Sequence, residues 1–246
     1  MLCIFFAQTS KGVKVTAIRT RIFNEGEDIF SFIVRYIKKL PEKSVVVVTS
    51  KIIALSEKRT AKLEGAKTKE KLIRQESQFA IPTKYVWLTI KDGMVMASAG
   101  IDESNANGKL ILLPKDSFQV AHVLRKKLQK KYGVKKIGVL VTDSRTIPFR
   151  LGIHGMALGY AGFEGLRNYV GAPDIFGRKF KFEQTGVADC LATAAVLVMG
   201  EGNEQQPLAI IKEAPIEFCE KINKKELYID IENDMYGPLF SKFKKR

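Results

Sequence analysis

Histidine occurs twice, tryptophan once and cysteine three times in the 246 residues. Two histidines, His122 and His154, cannot build a His-rich metal site, and a Ser-His-Asp hydrolase would have to rest on one of them. His122 falls inside a helical pattern beside its apolar stripe and reads as structural; His154, in a glycine-rich passage, stays open. Cys3, Cys190 and Cys219 are scattered, odd in number and free of any CxxC pair, which excludes a disulfide framework and favours a reducing, cytoplasmic setting. Neither GxxxxGK[ST] nor GxGxxG occurs, so the two common phosphate cradles are excluded. The opening Leu2-Cys3-Ile4-Phe5-Phe6-Ala7 is apolar but too short for a secretory core or a membrane span, and is expected to add a strand. No Gly-, Ser- or Pro-rich linker and no long repeat divides the chain, so residues 1–246 are expected to form a single domain.

What is present is a globular balance, 46% hydrophobic and 27% charged, with 41 Lys and Arg against 26 Asp and Glu. The formal charge of +15 attracts phosphates, carboxylates or nucleic acid and says nothing of fold. Part of it lies on one helix (Arg125, Lys126, Lys127, Lys130, Lys131) and part in the tail (Lys242, Lys244, Lys245, Arg246). Both are expected to be solvated.

Val13–Ile18 alternates as a strand does, and Glu25-Gly26-Glu27-Asp28 opens a helix carrying Ile29, Phe30, Ile33, Tyr36 and Ile37 on one face before Pro41. Val45–Val48 is a β-branched run suited to a strand covered on both faces. Thr68–Phe79 reads as helix, and Tyr85–Ile90 with Met94–Ser98 as a hairpin around Lys91-Asp92-Gly93. Asp116 or Ser117 caps a helix with Val120, Val123, Leu124 and Leu128 inward, stopped at Gly133. Ile137–Val141 is a second buried strand, Thr185–Met199 a buried helix and Pro207–Ile211 a returning strand. Strands and helices without steady βαβ alternation predict an α+β fold.

Polar clusters interrupt this frame where apolar segments end. Thr49-Ser50-Lys51 follows a strand, and a hydroxyl with an ammonium there suits a phosphate; the plainer reading is a helix cap and a surface lysine. Asp102 and Asn105, in Ser98–Asn105, offer oxygen ligands of the kind Mg²⁺ takes, or a simple turn. Thr142-Asp143-Ser144 sets a carboxylate beside a hydroxyl at a strand's end, with Arg145 and Arg150 nearby for planar recognition of phosphate or carboxylate. Glu201, in Met199-Gly200-Glu201-Gly202, is a further oxygen ligand or part of a helix stop. Carboxylates and cations without a covalent nucleophile are the inventory of phosphoryl transfer.

The series Thr49–Ile53, Ala99–Asn105, Val141–Ser144, Pro148–Gly152, Asp174–Arg178, Val187–Ala195 and Val198–Gly200 resembles the γ-glutamyl ligases of deazaflavin coenzyme F-420 biosynthesis, and their relatives ascribed to folate metabolism. The match spans about residues 13–211, leaving 212–246 as a basic extension. The resemblance implies a mixed-sheet ligase fold of two closely associated lobes and a homodimer. It further implies a GTP-dependent ligase using Mg²⁺ or Mn²⁺ to join L-glutamate to an acidic small-molecule acceptor through an acyl phosphate. Carried over by position, Asp102, Asp143, Ser144 and Glu201 would hold metal. Ser50, Lys51 and Asn105, with Gly200 alongside, would bind nucleotide, and Asp143, Lys51 and Arg150 would serve catalysis. The sequence departs from the family pattern at Leu55, where a nucleotide-contacting lysine is usual, and at Arg19-Thr20-Arg21, which replaces a Gly-Leu/Ile-Pro stretch; Arg19 or Arg21 is a candidate replacement for that cation. Two rivals remain: a nucleotide-binding member without ligase activity, and a basic nucleic-acid-binding protein. The second lacks any recognition motif, and its acidic clusters would repel a phosphate backbone. No membrane association is expected.

Overall fold

The computed structural model describes residues 12–240. In chain order the elements are β1 (Lys14–Ile18), α1 (Ile29–Tyr36), β2 (Ser44–Thr49), α2 (Ser50–Ser56), β3 (Thr60–Lys62), α3 (Ala66–Glu76), β4 (Phe79–Pro82), β5 (Trp87–Lys91) and β6 (Met94–Ala97). Then come β7 (Lys109–Ile111), α4 (Ser117–Tyr132), β8 (Ile137–Thr146), β9 (Ile153–Ala161), β10 (Leu166–Asn168), β11 (Gln184–Gly186), α5 (Val187–Met199), β12 (Leu208–Lys212) and α6 (Gly237–Phe240). The predicted strand at Leu2–Ala7 and the basic tail lie outside the described residues.

The centre is a five-stranded mixed sheet of order β1-β12-β2-β8-β9, in which β2 and β8 run parallel and the other neighbours antiparallel. Mixed α and β structure is thus as expected. Val45–Val48 is buried to 1% exposure or less because its alternate residues serve opposite layers. Val46 and Val48, with Val139, Val141 and Leu158, pack against Phe32, Ile33, Ile52, Ile53, Leu124 and Leu128 of α1, α2 and α4. Val45 and Val47, with Leu140 and Ala157, pack against Leu191, Ala192, Ala195 and Met199 of α5.

Several local predictions hold in detail. The side chain of Asp116 accepts from the N–H of Gln119 at 2.8 Å, and Gly133 ends α4 in the left-handed region at φ +67°. Asp92 and Gly93, both at positive φ, make the two-residue turn between β5 and β6.

Others are corrected. The helix read as Thr68–Phe79 is Ala66–Glu76, and Phe79 already belongs to a strand. The strand read as ending at Val141 continues to Thr146, paired from Val139 onward with β9, which the glycine-rich passage forms. Gly155 and Gly159 are needed there because a Cβ would meet the Ala192 carbonyl oxygen of α5 at 2.3 Å and the Phe118 nitrogen of α4 at 2.5 Å. Val123 and His122 face solvent; Leu124, Leu128 and the half-buried Val120 pack inward as expected, joined by Ala121 and Arg125. Arg125, expected on a solvated face, is 1% exposed: it donates from Nε to the Ile137 carbonyl (2.8 Å) and from Nη2 to Glu220 (2.7 Å). Its partner lies 95 residues along the chain, which a local charge run cannot reveal. Among the described residues no helix is long and apolar enough to cross a membrane.

Candidate functional site

Ser50 is the first residue of α2, which follows β2 without a loop, and Asp143 lies on β8 beside it in the parallel pair; Thr49 and Thr142 are in register. The Ser50 hydroxyl therefore donates to Asp143 Oδ1 at 3.1 Å across 93 residues of sequence. A β-bulge between Val141 and Thr142 shifts the register just before Asp143. Such bulges re-aim side chains at sites of this kind.

Asp102 reaches the same place from another direction. Ser98, Ala99 and Gly100 take successive positive φ values (50°, 55°, 71°), a conformation non-glycine residues seldom adopt. The buried Thr89 hydroxyl braces them, accepting from the Ala99 N–H at 2.8 Å and donating to the Met96 carbonyl at 2.7 Å. The chain then pairs Asp102 with Ile111, and Lys51 Nζ donates to Asp102 Oδ2 at 2.7 Å and to the Ser104 carbonyl at 2.6 Å. Ser104 also donates to Asp102 through its N–H (2.8 Å) and its hydroxyl (2.6 Å).

The loop after α5 closes the site. Gly200 turns at φ +81°, where a Cβ would strike the Glu204 carboxyl. Ser144 donates to Glu201 Oε1, and Asn105 Nδ2 donates to the Gly202 carbonyl at 3.0 Å. Ser50, Lys51, Asp102, Asn105, Asp143, Ser144, Gly200 and Glu201 thus come together from four segments. Arg150 does not join them by any hydrogen bond: it is exposed in the turn between β8 and β9. Arg21, a candidate substitute cation, is engaged elsewhere, pairing with Glu27 at 2.5 Å and lying over the Phe32 ring, while Leu55 packs into the core.

The two acids differ electrostatically. Burial pushes Asp143 up to about 6; the Ser50 hydroxyl and Ser144 N–H oppose this, and the Asp102 charge adds to it. Burial acts on Asp102 too, yet Lys51 and Ser104 hold its carboxyl below the ordinary range. Two carboxylates in mutual repulsion, with a hydroxyl and a glutamate alongside, suit a hard divalent cation by donor type. Among the described residues no three His, Cys, Asp or Glu side chains form a metal cluster by themselves.

Beside Asp143 lies a cavity of about 110 Å³ lined in part by Arg145, Met96, Ile153, Met156 and Leu158. The role of Ser104 in holding both Lys51 and Asp102, and the approach of Asp189 to Arg145 at 3.9 Å, were not foreseen. The available signal for Asp189 was an acid in the first turn of an otherwise apolar helix.

Comparison with known proteins gives the class, a ligase: residues 17–213 match the family described as F420-0:Gamma-glutamyl ligase. The coenzyme F420:L-glutamate ligase of Methanococcus maripaludis is 32% identical over 231 residues, covering 87% of this chain and 92% of that protein. The coenzyme F420:L-glutamate ligase of Archaeoglobus fulgidus is 28% identical over 232 residues, with the same coverage of 87% and 92%. That of Methanocaldococcus jannaschii is 41% identical over 128 residues, 52% of this chain and 51% of that protein. The chain belongs to the F420-0:gamma-glutamyl ligase family.

Proposed function

We propose that this chain joins L-glutamate, through an amide bond, to the carboxylate of an acidic acceptor of the coenzyme F420 type, at the expense of GTP. The observation that carries the reading is the convergence of Asp102 and Asp143, 41 positions apart in sequence, with Lys51 against one and Ser50 against the other. The names of the relatives favour the deazaflavin acceptor over a folate.

In this reading Ser50, Lys51, Asn105 and the Gly200 turn face the nucleotide, with Arg150 contributing charge from the hairpin turn. A divalent ion, Mg²⁺ or Mn²⁺, held by Asp102, Asp143, Ser144 and Glu201 would supply positive charge against phosphate and carboxylate oxygens. The acceptor carboxylate attacks the γ-phosphorus, the bond to the β-phosphate oxygen breaks, and GDP leaves with an acyl phosphate behind. The glutamate α-amine, as free base, then attacks the acyl carbon; it loses a proton as phosphate departs. Lys51, now neutralised by Asp102, turns its ammonium to the phosphates and offsets the charge that develops there. Large exposed apolar side chains at the β8–β9 turn (Phe149, Leu151) and between β10 and β11 (Ile175, Phe176) support association of two copies, which light scattering tests.

The decisive experiment incubates the protein with GTP, Mn²⁺, L-glutamate and either a deazaflavin phosphodiester or folates, and reads the acceptor by mass spectrometry. Glutamate added to the deazaflavin is expected, with phosphate release falling by orders of magnitude in Asp143→Ala. No glutamylated product from any acceptor, or undiminished phosphate release in the variant, overturns the reading.

A further inference from the structure

Arg145 is two residues beyond Asp143 on β8 and lines the cavity beside it. Its side chain is only 32% exposed, yet its guanidinium makes no hydrogen bond to any described residue. The nearest carboxylate oxygen, Asp189 Oδ2, stands 3.9 Å away, and the other oxygen of Asp189 is taken by the Ala157 N–H at 2.9 Å. Asp189 therefore steadies the charge without occupying the fork. Directly across the ladder, His154 holds a buried Nδ1 that also lacks a partner. A half-buried guanidinium presents five donors in a planar fork, and leaving them unmatched is costly unless a ligand supplies acceptors.

The cavity says which ligand. At about 110 Å³ it is well below the roughly 300–1,000 Å³ that drug-sized ligands fill, so a deazaflavin or a folate does not fit it. An amino acid is of the right order. Met96, Met156, Leu158 and Ile153 give it an apolar wall suited to methylene groups, with the Arg145 cation at one position and Asp143 at another. Residues two apart on a strand are separated by roughly 6.6 Å. An extended glutamate can span that, its side-chain carboxylate at one end and its α-amine at the other.

We propose that Arg145 is the specificity-determining residue for the amino-acid substrate, binding the side-chain carboxylate of glutamate in this cavity and presenting the α-amine toward Asp143. The inference rests on the ligase reading and gives the second substrate its place. Arg145 forms a two-armed pair with the carboxylate, and the methylenes lie on the methionine and leucine wall. Glutamine, isosteric but uncharged, leaves the guanidinium without its counter-charge and is rejected. Aspartate, one methylene shorter, cannot reach Arg145 while keeping its amine at Asp143.

The test compares wild type, Arg145→Gln and Arg145→Lys on L-glutamate, L-glutamine and L-aspartate. Steady-state kinetics with GTP and acceptor is run beside calorimetric titration of each amino acid into the GTP-loaded protein, and thermal melts report folding. Arg145→Gln is expected to raise the glutamate KM and Kd by about 10- to 100-fold, the range of a lost charge-assisted pair. It should leave the GTP KM unchanged and bring glutamine level with glutamate. Arg145→Lys, which retains one charge without the fork, falls between, and carries the test alone if Arg145→Gln does not fold. Glutamate and glutamine weakening together would mean that the α-carboxylate is what Arg145 holds. A raised GTP KM would make it a phosphate ligand, and undisturbed glutamate binding would make it idle; each result overturns the proposal. Failure of wild type to make any glutamylated product sinks the ligase reading instead, while the calorimetric ranking still decides whether Arg145 selects glutamate.

Discussion

Replacing Asp143 by asparagine should make the metal-free protein more stable at neutral pH while removing its turnover. The carboxyl is pushed from 3.8 up to about 6, chiefly by burial. At ~1.4 kcal/mol per pH unit, ionising it at pH 7 costs the fold at most about 3 kcal/mol. Because the folded value lies above the unfolded one, the native state keeps its proton longer; stability falls as pH rises from about 4 to about 6 and is level beyond. Asparagine keeps an oxygen for the Ser50 hydroxyl and the Ser144 N–H, so it removes the charge and little else. Urea unfolding with a chelator present, at intervals from pH 4.5 to 7.5, measures the difference between the two proteins. It should favour Asp143→Asn by about 1 kcal/mol at pH 4.5, where an unfolded aspartate is already mostly ionised, and by ~2–3 kcal/mol at pH 7. Carboxylates held low, such as Glu27 and Glu220 at about 2, contribute equally to both proteins and cancel from the difference. A variant less stable than wild type at pH 7, or a difference that does not change with pH, would refute the electrostatic account of Asp143. Gain of stability with loss of chemistry is the trade expected of a site whose charges are arranged for a ligand.

Two further outcomes test the framework. Arg125 is buried while Glu220 is 63% exposed, so Glu220→Ala strands a guanidinium and should cost about 3 kcal/mol. Arg125→Met frees a carboxylate that rehydrates and should cost only ~1–2 kcal/mol for the unmet Ile137 carbonyl; urea titration showing the reverse order would defeat the argument. Gly155→Ala forces α5 off β9, since the new methyl would sit 2.3 Å from the Ala192 carbonyl oxygen. A loss of ~1–3 kcal/mol is expected, seen as a melting point lower by several degrees, and an unchanged melting curve would show that the layers have slack.

The parts of the fold legible in sequence are those whose chemistry is local. A β-branched run at Val45–Val48, an aspartate cap at Asp116, a glycine stop at Gly133 and an Asp92-Gly93 turn each name their own conformation. The strand β9 was not legible, because Gly155 and Gly159 carry poor strand preference and are there to let α5 and α4 approach. Tertiary contact outweighs propensity at those positions. Arg125 was misplaced for a similar reason: its neighbours are solvated lysines, and only Glu220 and Ile137 explain its burial. At the site, the separate polar clusters could be read from their residues, and the resemblance named them as one set. Ser104 as the joint between Lys51 and Asp102, and the unmatched fork of Arg145 in its cavity, exist only once distant strands are paired.

The parallel pairing of β2 with β8 governs when this protein becomes competent as well as where its acids sit. Residues 50 and 143 meet across the long connection that holds α2, α3, five short strands and α4. Loop-closure entropy of that size must be met before the contact yields anything, so this ladder should assemble late in folding. A nascent chain emerging from the ribosome would therefore own every helix of its first half while Ser50 still lacks Asp143. Chemical activity waits on that long-range register, and intermediates that have not reached it stay silent.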